Sequence, residues 1–161
     1  MRVSGKSEND RVVNETLKVD GEKLTVTCVS MGNPHCVTFV KNVDTYPVEK
    51  LGPAIEHHPA FPRRTNAEFV QILDPREVKM RVWERGSGET MACGSGSSAL
   101  VVAGNLAGLL AHEVTVHVRG GTLQIEWAGN NHVFLSGPAE EAYSGEFDPK
   151  ELLRTSPALQ K

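Results

Sequence analysis

The chain has 161 residues and a mass of 17.5 kDa, one ordinary domain, and 17 Lys and Arg against 20 Asp and Glu leave a formal charge of −3. With 39% apolar and 23% charged residues it reads as a soluble globular protein, a single domain over 1–161 that needs no disulfide or metal staple. Its basic residues never run beyond two in a row, which argues against a nucleic-acid partner, and its most apolar stretch, Ala99–Ala111, falls short of the ~20 residues that span a bilayer.

No charged-then-apolar leader opens the chain, and its three cysteines have no CxxC spacing; together these predict reduced thiols in a cytoplasmic setting. Along the chain, Thr16–Val19 and Leu24–Ser30 predict a hairpin around Asp20-Gly21, a type I′ turn signal. Cys36–Lys41 reads as a strand after the breaker Gly32-Asn33-Pro34, and Pro47–His58 as a short helix with Val48, Leu51 and Ile55 on one face. Glu68–Asp74 and Glu77–Glu84 form a second predicted hairpin around Asp74-Pro75, with Glu84 on the same face as Val78, Met80 and Val82. Ser97–Leu110 has small apolar residues almost all round, the pattern of a buried helix. Four short strands are expected after it: Val114–Val118, Leu123–Ala128, His132–Ser136 and Glu141–Phe147. The expectation is an α+β fold, a mostly antiparallel or mixed sheet of about eight short strands wrapped around one buried central helix.

The strongest chemical signal is Trp83-Glu84-Arg85-Gly86-Ser87-Gly88-Glu89-Thr90-Met91-Ala92-Cys93-Gly94-Ser95-Gly96. Here a strand ends in an acid–base pair, passes a Gly-rich loop, and delivers Cys93 to the start of the buried helix. Unpaired N–H groups and a partial positive charge at such a start favour a thiolate and predict a Cys93 pKa below the free value of about 8.5. Gly94 and Gly96 let backbone amides approach an anion, Ser95 adds a donor, and a carboxylate held there would put its neighbouring carbon beside the Cys93 sulfur. The alternative for these residues is inert packing of a buried cysteine behind a tight connection. Asn33, Pro34 and His35 offer amide and imidazole groups at a turn, which ordinary turn chemistry also explains; Arg63-Arg64-Thr65-Asn66 reads equally as a solvated strand entrance. His57-His58 suits helix-end carbonyls better than a metal, and His112, His117 and His132 lack ligand spacing, so no metal is expected. Cys28 reads as packing, whereas Cys36, beside His35, stays open.

Taken in order, Met-Gly-Asn-Pro-His, Arg-Thr-Asn-x-Glu-Phe-Val and Glu-Arg-Gly-x-Gly-x-Thr-x-Ala-Cys-Gly-x-Gly closely resemble the diaminopimelate epimerase family, from about Leu17 to Asp148. The likeness is to the second half of the family's protein, which has two similar domains, each a strand-wrapped helix, with the active site between them. It implies an isomerase that works without pyridoxal phosphate, metal or other cofactor, using one cysteine from each domain as acid and base. Carried over by motif, Cys93 corresponds to the second-domain catalytic cysteine. Gly94 and Ser95 correspond to the helix-start groups that hold the carboxylate at the reacting centre. Asn33, Asn66 and Arg85 correspond to residues that recognise the distal amino-acid end, while Glu84, also counted among the substrate-binding groups, and His35 correspond to polar groups near the catalytic thiols. Ser95 stands where the family commonly has Thr, and Ala67 where it usually has Val.

The first domain's Asn-Gly-x-Arg-Cys motif is missing from these 161 residues, and nothing at Met1-Arg2-Val3 signals an ordered first domain. One cysteine serves one face of a carbon, so the resemblance implies that a separate first domain or a second copy completes the cleft around diaminopimelate. Two other readings share these residues: a different cofactor-independent racemase or isomerase of the same fold, and a non-catalytic amino-acid-binding module.

Overall fold

The computed structural model describes residues 11–150. The ends of the expected domain, 1–10 with Met1–Val3 and 151–161, lie outside the described residues. Strand β1 (Glu15–Val19) turns into β2 (Glu22–Ser30) through Asp20 and Gly21, both at positive φ (47° and 83°), as a type I′ hairpin requires. Strand β3 (Pro34–Phe39) follows a turn at Gly32 (φ 92°), and helix α1 (Val48–Glu56) is a little shorter than predicted and contains Pro53. Then come β4 (Asn66–Asp74) and β5 (Glu77–Glu84), paired antiparallel with a register shift near Asp74. A short β6 (Gly88–Thr90), unforeseen within the Gly-rich loop, folds back on β5. Helix α2 spans Gly94–Leu106, and β7 (Glu113–Val118), β8 (Gly121–Trp127) and β9 (Val133–Ser136) close the set.

These strands make one mixed sheet in the order β1-β2-β3-β4-β5-β7-β8-β9, with β6 beside β5; the β3–β4 and β5–β7 pairs are parallel and the rest antiparallel. Side-chain alternation divides its apolar residues into two cores. Leu17, Val26, Cys36 and Phe69 pack with Val48, Leu51 and Ile55 of α1. On the other face Val37, Val70, Met80, Val82, Val116 and Ile125 pack with Leu100 and Val101 of α2. The sheet wraps α2, which is buried on nearly all sides from Gly96 to Gly104, as its even apolarity requires.

Two sequence expectations need correction. The central helix starts at Gly94, within the Ala92–Gly96 segment that the sequence marks as its start, but stops at Leu106 rather than Leu110. It stops because Gly108 turns left-handed (φ 73°) and Leu109 and Leu110 direct their N–H groups back to the Gly104 carbonyl. A Cβ on Gly104 would lie 2.4 Å from Leu110 Cδ1, so the hydrogen there lets Leu110 fold down onto the helix. The expected strand Glu141–Phe147 does not form: among the described residues no strand pairs with it, and Tyr143 and Phe147 are 87% and 73% exposed. Alternation makes a strand only when a neighbour supplies the ladder. No helix of the described residues is long and apolar enough to cross a membrane.

Candidate active site

The β2–β3 turn, the start of β4, the end of β5 and the start of α2 converge at one edge of the α2 face. Cys93 is the N-cap of α2, extended at φ −139° and ψ 107°, and its Sγ accepts from the Gly96 N–H at 3.4 Å. Ser95 Oγ lies 3.6 Å from the same sulfur. The expectation of a lowered Cys93 pKa is not met: the thiol is pushed up. Burial is the main cause, and the charges of Glu84 and Glu68 add to it, together outweighing the Ser95 and Gly96 hydrogen bonds. The favourable helix-start field is present, but it acts on a sulfur in a residue only 7% exposed.

The residue that the sequence reading missed is Glu68. It sits on β4 between Ala67 and Phe69 and faces α2 with Val70, fully buried (0% exposed). Its Oε1 is 2.6 Å from Nδ1 of His35, itself 1% exposed, and its Oε2 has no hydrogen-bond partner. Burial drives the Glu68 carboxyl pKa upward against the His35 contact. A single short hydrogen bond joins Glu68 Oε1 and His35 Nδ1. On the other side of the ring, Asn33 Oδ1 can only accept, so His35 Nε2 donates to it at 3.0 Å. That acceptor role turns the Asn33 amide so that Nδ2 donates to Ser95 Oγ at 3.3 Å, and Ser95 Oγ in turn shares a hydrogen bond with Cys93 Sγ. A hydrogen-bonded chain thus runs from Glu68 through His35, Asn33 and Ser95 to the sulfur. His35 reaches Cys93 through this chain.

The other expected residues are gathered close by. Glu84 ends β5 on the α2 face and accepts from the Thr90 hydroxyl, which ties it to β6. Asn66 uses both ends of its amide, donating to the Pro34 carbonyl at 2.9 Å and accepting the Arg85 N–H at 2.8 Å. It therefore positions the neighbouring turns. The Arg85 guanidinium is exposed, donates to the Arg63 carbonyl at 3.2 Å, and lines a cavity of ≈ 710 Å³ with Pro34, His35, Arg63 and Arg64. Gly94 is exposed and Ser95 half-buried at the mouth of α2, whose first-turn N–H groups have no partners within the helix. The 84–87 turn is anchored from below by Glu56, which accepts from Trp83 Nε1 at 2.8 Å and the Gly86 N–H at 2.9 Å. His57 and His58 contact the Pro53 and Lys18 carbonyls, each at 3.0 Å.

A sheet-wrapped helix whose mouth carries a thiol and open first-turn amides, with one carboxylate beside it and another buried behind it, has the groups of a site that moves a proton beside a carboxylate. The sequence model of the family described as diaminopimelate epimerase matches residues 27–141. A diaminopimelate epimerase of Pelotomaculum thermopropionicum is 59% identical over 137 residues, 85% of this chain and 49% of its own length. One from Acetivibrio thermocellus is 53% identical over 147 residues, 91% of this chain and 52% of its own. A solved phenazine biosynthesis protein from Bacillus anthracis aligns with 75% of this chain and 40% of its own, at TM-score 0.48 and 22% identity. The chain belongs to the diaminopimelate epimerase family, and it spans about half the length of the curated relatives it matches.

Proposed function

We propose that this chain is the second half of a cytoplasmic, cofactor-independent epimerase that interconverts LL- and meso-diaminopimelate, a precursor of lysine and of the cell wall. The observation that carries this reading is Cys93 at the mouth of buried α2, with Gly96 N–H and Ser95 Oγ on its sulfur. The carboxylate at the reacting centre rests on the helix start at Gly94 and Ser95, which brings the α-carbon to the sulfur. As a thiol, Cys93 gives its proton to the α-carbanion: the S–H bond breaks, the C–H bond forms, and a thiolate remains. In the reverse direction that thiolate takes the proton back. The upward push on the Cys93 thiol suits the donor role in the open half-site.

Ser95, held beside the sulfur by the chain through Asn33, His35 and Glu68, stabilises the thiolate that each donation leaves. At the distal end, the Arg85 guanidinium pairs with the second carboxylate and Glu84 with the second ammonium, while Asn33 and Asn66 fix the turns that present them. The opposite face of the α-carbon needs a second acid–base group, supplied by a first domain of about this chain's length or by a second copy of this chain. Coverage of half of each curated relative supports the former. Exposed Met91 and Leu135, the latter lying against Gly94, fit a mouth that another domain covers.

The test is protection of Cys93 from iodoacetamide. Diaminopimelate slows alkylation and lysine, which lacks the second carboxylate, does so less. Equal protection by both removes the distal-end assignment, and protection by neither removes the binding site.

A further inference from the structure

Cys28 and Cys36 lie outside the chemistry proposed above, yet they face each other directly across the antiparallel β2–β3 pair. The backbone fixes the kind of pair they form. Cys28 donates its N–H to the Val12 carbonyl at 2.9 Å, so its polar backbone groups point away from β3. Just past the end of β3, Val40 donates to Val70 of β4, and Cys36 shares its parity along the unbroken register of His35–Phe39, so its groups point away from β2. The two cysteines are therefore a non-hydrogen-bonded cross-strand pair, the kind in which side chains approach most closely. The Cα separation in such pairs is about 4.5 Å, within the roughly 4.4–6.8 Å that a disulfide bridges. Both are free thiols in this structure.

We infer that Cys28 and Cys36 are a reversible oxidation site that closes into a cross-strand disulfide, clasping the turn that presents Asn33 and His35 to the helix mouth. The two thiols are unequal, and the inequality orders the steps. Cys28 is half-buried and lines the ≈ 710 Å³ cavity, where a small oxidant reaches it. Cys36 is 1% exposed, and a hydrogen bond with Cys28 together with burial pushes its thiol pKa well up. With a hydroperoxide as oxidant, the Cys28 sulfur attacks the outer oxygen, the O–O bond breaks, and an alcohol or water leaves with the thiol proton. The Cys36 sulfur then displaces the oxygen of the Cys28 sulfenic acid, and its own proton leaves with that hydroxide as water. Two thiols lose two electrons, and the peroxide bond takes them. Cys93 belongs to the other core and takes no part.

The inference stands apart from the epimerase reading, because it concerns a bond that forms with no substrate present. The experiment exposes the chain to hydrogen peroxide, alkylates remaining thiols after unfolding, and maps peptides by mass spectrometry, in the wild type and in Cys93→Ser. Both proteins should lose two hydrogen masses, give one bridged peptide containing Cys28 and Cys36, and return to the starting mass with dithiothreitol. In ¹H–¹⁵N spectra the Gly32, Asn33 and His35 signals should move on oxidation while those of β7 and β8 stay. Cys28→Ser should leave Cys36 fully alkylatable. Recovery of Cys28 as a sulfinic or sulfonic acid beside an alkylatable Cys36 would overturn the inference, as would a bridge to Cys93 or between two chains.

Discussion

Gly96→Ala separates the packing at the helix mouth from simple helix propensity, because the two give opposite signs. Propensity alone favours Ala over Gly by about 1 kcal/mol within a helix. In this fold a Cβ at Gly96 would lie 2.9 Å from Glu68 Oε1 and 3.3 Å from both Cβ and Sγ of Cys93. The carboxylate cannot swing away freely, since its side chain is 0% exposed and its Oε1 is held 2.6 Å from His35 Nδ1. Overpacking typically costs about 1–3 kcal/mol, and weakening a buried charge-assisted hydrogen bond about 1.5–3 kcal/mol. After the propensity gain, the expected net loss is about 1.5–5 kcal/mol. Urea unfolding of residue-96 and residue-94 variants measures it. Gly94→Ala is the control: its Cβ meets only Leu135 Cδ1 at 3.2 Å, a side chain 45% exposed and free to shift, so stability stays within about 1 kcal/mol of wild type. A Gly96→Ala protein as stable as wild type, or more so, would refute the reasoning.

Three further outcomes follow from the same contacts. Ser95→Ala removes an interaction that favours the Cys93 thiolate, so the thiol pKa moves further up and alkylation at pH 8 slows several-fold; an unchanged pH profile, read in a Cys28→Ser, Cys36→Ser background, contradicts the hydrogen-bond chain. Arg81→Ala removes both hydrogen bonds to Glu89 (2.7 and 2.9 Å) and those to the Val43 and Tyr46 carbonyls, and thermal unfolding should report a loss of about 2–4 kcal/mol. Acid should destabilise the fold below about pH 4.5 through Glu89 and Glu56, both held below the ordinary carboxylate value of 4.5. For Glu89 the Arg81 hydrogen bonds dominate; for Glu56 burial opposes ionisation, but Trp83, Gly86, His57 and Arg64 outweigh it. The unfolded chain binds more protons in that window, so this stability is complete at neutral pH and lost as pH falls through the folded-state values. Glu68, pushed up by burial, acts in the opposite sense, so the check is the difference from Glu89→Gln and Glu56→Gln. A loss of stability between pH 5 and 3 as large in both variants as in the wild type would count against both contacts.

Much of this fold is legible wherever local chemistry and tertiary neighbours agree. Asp20-Gly21 gives its turn because both residues tolerate positive φ, and the evenly apolar Ser97–Gly104 can only be buried. The far end of that helix is harder to read, because the apolar run continues to Leu110 and only the left-handed Gly108 and the packing of Leu110 onto Gly104 stop the helix at Leu106. Glu141–Phe147 shows the opposite failure: a local alternation with no strand beside it among the described residues. Within the site, Cys93, His35, Asn33 and Glu84 stand out as chemistry-bearing side chains beside turns. Glu68 has no turn to mark it. Its signal is a lone carboxylate among Ala67, Phe69 and Val70, inside a motif already singled out, and only strand pairing shows that it faces His35. The Cys93 acidity is misread for a related reason, since the helix-start field is visible in sequence, whereas the burial of the sulfur, the main cause of the upward push, and the nearness of Glu68 are not.

On the proposed function, Cys93 serves one face of the α-carbon and a partner domain serves the other. The most direct measurement follows exchange of the diaminopimelate α-proton with deuterated solvent, and stereochemical inversion, at several protein concentrations. It compares the chain alone with the chain mixed with the first half of the Pelotomaculum thermopropionicum relative. The account predicts no exchange by the chain alone, exchange with inversion in the mixture, and loss of both with Cys93→Ala, because a positioned acid or base is typically worth about 10²–10⁴-fold. Exchange by the chain alone that rises with the square of its concentration and vanishes in Cys93→Ala would show that a second copy completes the site. Exchange in the mixture that survives Cys93→Ala would contradict the claim outright.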